Sequence, residues 1–335
     1  RHLSPAYHGG VHTHHLERLG LKREEILDFI VRATPFKPPT SVVEAARSVP
    51  IEAYPDSRAR RLQEALGGYI GMSGEHVVVV NGTSQALWLI ALAFLEPGDR
   101  VLTFPPTYSD YETVSAMMGA ETVSLRAGEE DRFKPPLTEA AELIRRERFR
   151  AVWLCNPNNP TSSYVTRREL EPLMEACRER STMLILDEAY ASFTIGSWAT
   201  EELVEGYPVV LMRSMTKDFN LNALRLGYVI ATREIAQVLD RVQPPWSVNT
   251  PAEEAGLEAL RQIDYYKESW EKTAELTEEL GDKMERREFR RFPVGCNFQL
   301  FKGPLELDLA SKLWSRGIKI RDCTSFGLPG FLRIG

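Results

Sequence analysis

An α/β fold is predicted for this chain of 335 residues: a wound, mostly parallel sheet covered by helices, with a smaller α+β domain attached. Three observations carry that reading. Short apolar runs of strand length alternate with helical periodicity between about residues 76 and 231. A Pro-containing interruption near 242–251 precedes a long charged amphipathic stretch. The length also exceeds what one hydrophobic core usually organises.

Taken in order, a strand over 76–80 leads into a helix over 84–94, a strand over 100–104 into a helix over 111–118, and a strand over 151–155 into a helix over 168–178. Runs at 183–186, 209–212 and 226–231 read as further buried strands, because they are continuously apolar and too short for buried helices. A single long helix is expected over about 252–286, and the tail over 289–334 reads as short strands around one helix. The predicted division is a large domain over 45–245 and a small domain made of 1–44 and 246–335.

Composition narrows the function classes. With 43% hydrophobic and 26% charged residues the chain can bury a core, and a formal net charge of −6 gives no general attraction to nucleic acid or an anionic membrane. The apolar run over 86–95 is about half the length needed to cross a bilayer, and no signal-peptide pattern opens the sequence. Cys155, Cys177, Cys296 and Cys323 are widely spaced, so neither a zinc site nor a disulfide framework is written, and a cytoplasmic protein is expected. His8, His12, His14 and His15 crowd the start without acidic or thiol partners, and no metal is expected there.

The chemistry gathers at strand ends. Lys217 follows a buried strand, with Ser214 three residues before it and Arg225 eight after. Asp187 closes another apolar strand, with Tyr190 three residues on. Asn159 lies in Asn156-Pro157-Asn158-Asn159-Pro160-Thr161 after a third strand, and Thr83 and Ser84 open a helix whose amides suit a phosphate. Each has a plain structural reading as cap or turn. Together they place an amine, a carboxylate, an amide and an anion-binding helix start in the crevice where such sheets bind ligands.

These segments resemble the fold type I pyridoxal-phosphate enzymes of the aspartate aminotransferase superfamily, from about His8 to Gly335. The resemblance implies pyridoxal 5'-phosphate as cofactor, with Lys217 as the Schiff-base lysine and Asp187 holding the ring nitrogen protonated. Asn159 and Tyr190 would bond the ring hydroxyl, and Tyr108 would stack on the ring. The phosphate would sit on Thr83, Ser84, Ser214 and Arg225, with Tyr54 supplied by the partner subunit of a homodimer. A small-molecule amino acid is the implied substrate, without nucleic acid or membrane partners.

On the substrate side, Arg333 matches the arginine of the family that grips a carboxylate, and Arg321 the one that phosphorylated-substrate members use. His8 in Tyr7-His8-Gly9-Gly10, with Trp246 in the segment 244–249, resembles threonine-phosphate decarboxylases of cobalamin synthesis. Decarboxylation of a phosphorylated or acidic amino acid is therefore the first expectation. The alternative is an aminotransferase of the histidinol-phosphate type, or a relative recruited to a specialised pathway. Arg32 stands where these relatives carry an amide; in the pocket it would add a third guanidinium beside the substrate, and pointing outward it would be a solvated loop residue.

Overall fold

The computed structural model describes residues 22, 25–30, 33–303 and 309–335. His8 and Arg32, together with the other N-terminal histidines, lie outside the described residues.

The N-terminal part supplies a short strand β1 (Leu27–Asp28) and the helices Thr40–Arg47 and Arg60–Ile70. A seven-stranded sheet follows, made of β2 (Val77–Val80), β3 (Arg100–Thr103), β4 (Glu121–Ser124), β5 (Ala151–Cys155), β6 (Met183–Asp187), β7 (Val209–Ser214) and β8 (Gly227–Ile230). Its order is β2-β8-β7-β6-β5-β3-β4, parallel throughout except that β8 runs against both neighbours. Period-two alternation divides every strand except the edge strand β4 between two cores. Val77, Val79, Leu102, Leu154, Leu186 and Leu211 enter one, backed by the helices Arg60–Ile70, Leu137–Arg146 and Arg167–Arg180. Val78, Val80, Val101, Trp153, Ile185 and Met212 enter the other, backed by Gly82–Phe94, Asp110–Met117 and Arg233–Val242. Both faces are covered, which is why these strands read as unbroken apolar runs.

The long helix expected over 252–286 is two helices, Thr250–Arg261 and Ile263–Glu285. Gln262 breaks it: its φ of −96° and ψ of 23° leave the helical region, and its N–H is shared between the Glu258 and Ala259 carbonyls. The tail forms an antiparallel four-stranded sheet from β9 (Arg290–Arg291), β10 (Gln299–Lys302), β12 (Arg321–Asp322) and β13 (Phe331–Ile334), in the order β12-β13-β10-β9. A separate strand β11 (Ile318–Lys319) pairs in parallel with β1, so the N-terminal segment joins the C-terminal elements. Among the described residues no helix is long and apolar enough to cross a membrane.

Candidate active site

The parallel strands end on one edge, and register fixes what they present there. Cys155 pairs with Asp187 across β5 and β6, and Asp187 with Met212 across β6 and β7. Val80 pairs with Gly227 and Gly227 with Ser214, which puts the start of the helix Gly82–Phe94 beside the end of β7. Gly227 permits that approach: a Cβ there would lie 3.0 Å from the Thr83 amide nitrogen.

These ends surround a cavity of about 630 Å³. Nine residues expected at the site line it: Thr83, Ser84, Tyr108, Asn159, Asp187, Tyr190, Ser214, Lys217 and Arg225. Asp187, in its wall, is buried. Oδ2 accepts the Tyr111 phenol at 2.7 Å and Oδ1 accepts the Ala189 N–H at 3.1 Å. Burial pushes its carboxyl up to about 6, against the pull of those two donors. Arg225, also in the wall and held in the left-handed region at φ 56°, lays its guanidinium over Gly82, whose own φ is +72°. A Cβ at Gly82 would sit 2.9 Å from Arg225 Nη2. Helix N-terminal amides, three hydroxyls and this guanidinium make that end an anion cradle.

Tyr108, expected to stack on the ring, is braced as well. Tyr108 donates its phenol to Asp110 at 2.6 Å and meets Tyr111 edge to face at 5.6 Å, while Tyr111 stacks on Trp153 at 5.3 Å. Tyr190 is buried edge to face against Phe298. From the small sheet, Arg333 Nη1 donates to Asn159 Oδ1 at 2.5 Å, reaching the cavity wall. Arg321 is buried one strand over, donating to Ser325 at 2.8 Å and lying over the Phe326 ring.

Tyr54 does not line the cavity of its own chain. It is 82% exposed and packs against Trp246, whose N–H donates to the Ser57 carbonyl. Tyr111, Asp110, Cys155, Thr216 and Trp88 belong to the site but were not singled out in the sequence. Tyr111 had a signal, standing one helical turn after Tyr108, and Cys155 ends a strand beside that of Asp187.

An amine, a buried carboxylate and an anion cradle at the carboxyl edge of a parallel sheet define an enzyme built to hold a phosphorylated carbonyl cofactor. The chain belongs to the aminotransferase class I and II family, whose model matches residues 24–335. It is 33% identical over 309 residues to a histidinol-phosphate aminotransferase of Symbiobacterium thermophilum, covering 90% of this chain and 83% of that protein. The solved histidinol-phosphate aminotransferase of Sinorhizobium meliloti, in complex with pyridoxal-5'-phosphate, superposes with a TM-score of 0.86 at 25% identity, covering 98% of this chain and 90% of that one. An aspartate aminotransferase of Thermotoga maritima has the same fold, at a TM-score of 0.82 and 24% identity, with coverages of 96% and 89%. The fold is thus that of the aspartate aminotransferases, and pyridoxal 5'-phosphate is the cofactor.

These likenesses overturn the expected decarboxylase: the relatives matched along most of the chain are aminotransferases. Tyr7 to Gly10 lie outside the described residues, and Trp246 supports Tyr54 instead of lining the cavity.

Proposed function

We propose that the protein is a pyridoxal-phosphate-dependent aminotransferase of the histidinol-phosphate type, acting on a phosphorylated or acidic amino compound. The observation that carries the proposal is the contact of Arg333 with Asn159, which brings a guanidinium to the wall of the cavity that holds Lys217. Arg321 stands beside it on the neighbouring strand. Amino-group transfer requires one site to hold a donor and an acceptor in turn. Each brings an anionic group, and guanidiniums meet carboxylates and phosphates in the same bidentate geometry.

The cofactor supplies, when bound, an electron sink for the pair left behind when the hydrogen on the amine-bearing carbon departs as a proton. The residues present fit it. Thr83, Ser84, Ser214 and Arg225 would hold its phosphate, the Gly82 backbone leaving the room that a Cβ would fill. Asp187 would hold the ring nitrogen with its proton, Asn159 and Tyr190 the ring hydroxyl, and Tyr108 one ring face. Lys217 would be the point of covalent attachment, and its Nζ would be the base that takes the proton from the amine-bearing carbon. A phosphorylated amino alcohol has no carboxylate on that carbon, so there the bond that breaks is C–H.

We infer a homodimer in which Tyr54 completes the phosphate site of the partner subunit. Ile51, Tyr54 and Trp246 are 93%, 82% and 50% exposed, and a second copy would cover them. The segment 1–44 with 246–335 would act as the small domain, closing on 45–245. Four free, buried thiols agree with a cytoplasmic setting. Hydride reduction of the purified holoenzyme followed by peptide mass mapping tests the assignment. The label belongs on Lys217, and a label on another lysine would overturn it.

A further inference from the structure

We propose that Tyr111 is the positioning residue for the ring-nitrogen end of the site: its phenol fixes the orientation and the charge of the Asp187 carboxylate. The inference rests on the functional reading above.

The geometry is specific. Tyr111 is 1% exposed and its phenol donates to Asp187 Oδ2 at 2.7 Å. The ring cannot swing away. Trp153 stacks on one face at 9° between planes, and Tyr108 abuts it at 83°. Trp153 is itself held, its Nε1 donating to Ser115 Oγ at 3.2 Å, and Ser115 donates to the Tyr111 carbonyl at 2.7 Å. A closed loop of contacts within one helix and one strand therefore sets the phenol oxygen against the carboxylate.

The groups facing Asp187 show why one phenol matters. Helix Asp110–Met117 and its approach bring Tyr111 and Tyr108, β5 brings Cys155, and Glu188 follows on its own chain. Tyr190, Lys217 and Arg225 share the cavity wall. Burial and the Glu188 charge favour the neutral acid, while the Tyr111 phenol and the Ala189 N–H favour the carboxylate. Only the carboxylate can hold a protonated ring nitrogen. Removing the phenol leaves the Ala189 N–H without the side-chain donor that helps keep Asp187 ionised.

Two measurements on Tyr111→Phe test this, each beside wild type. Infrared titration of the cofactor-free protein, referenced to Asp187→Asn, reads the carboxyl directly. Its midpoint should rise by about one to two pH units, as expected for loss of one hydrogen bond to a charged group. Equilibrium affinity for pyridoxal phosphate should fall by up to about tenfold at neutral pH and recover at alkaline pH. Trp153→Phe, which leaves the hydroxyl in place, should lower the Tm without moving the midpoint. An unchanged midpoint in Tyr111→Phe would overturn the proposal. Failure of the wild-type protein to bind pyridoxal phosphate would instead sink the functional reading, and the infrared titration would still decide the role of Tyr111.

Discussion

Arg321 and Arg333 stand directly opposite each other on the antiparallel strands β12 and β13, and both are buried. Like charges facing one another across a ladder destabilise it, and buried charge costs free energy unless it is met. Such a juxtaposition suits a site that receives an anion. One of the pair already reaches Asn159 in the cavity wall.

Arg333→Gln should therefore lower kcat/KM by about ten- to a hundredfold, since a charge-assisted hydrogen bond contributes roughly 1.5–3 kcal/mol. Affinity for pyridoxal phosphate, measured by equilibrium dialysis, should fall by less than kcat/KM, because Arg333 meets the ring site only through Asn159. A variant that loses the cofactor and keeps substrate affinity would assign Arg333 to the cofactor.

The Gly82 position tests the anion cradle. Gly82→Ala adds a Cβ 2.9 Å from Arg225 Nη2 at a φ of +72°. The guanidinium is flexible and will move, while the backbone strain remains at about 1 kcal/mol. Cofactor affinity should fall by on the order of tenfold, as one charge-assisted contact to the phosphate is displaced. Affinity equal to wild type would show that the phosphate lies elsewhere.

Much of this site was legible in the sequence because strands buried on both faces end abruptly in polar residues. Asp187, Ser214 and Asn159 announce themselves in that way. The contact between Tyr111 and Asp187 was not legible, because it depends on how the helix Asp110–Met117 packs against the sheet, a distance of 76 residues along the chain. Gln262 was equally hidden: it is a competent helix former, and only packing shows the break. Trp246 misled because an aromatic at a domain junction reads alike whether it touches substrate or supports Tyr54.

The pH dependence of stability follows from Asp218, beside Lys217 but directed into a second cavity near Arg213. Burial pushes its carboxyl up to about 7, against the Ser192 hydroxyl, the Phe219 N–H and the Arg213 charge. A raised acid binds more protons folded than unfolded, so its contribution is present at low pH and is lost as pH climbs from about 4 to 7. Asp218→Asn should flatten the decline of unfolding free energy across that interval. Parallel curves for variant and wild type in chemical denaturation would contradict it.

Subunit complementation tests the shared site. Lys217→Ala and Tyr54→Ala should each be nearly inactive alone. Mixed and re-equilibrated, they should recover about a quarter of wild-type activity, because half the dimers are mixed and each mixed dimer holds one intact site. No recovery, with mixed dimers demonstrated by mass, would show that Tyr54 serves no partner site.

The reaction itself is tested most directly by following nitrogen. Histidinol phosphate labelled at its amine nitrogen is incubated with the holoenzyme and a dicarboxylic keto acid, and products are read by mass spectrometry. The account predicts labelled nitrogen in the new amino acid, one equivalent of carbonyl product, and loss of the reaction in Lys217→Ala. Carbon dioxide released from an amino-acid phosphate, without nitrogen transfer to any keto acid, would contradict it.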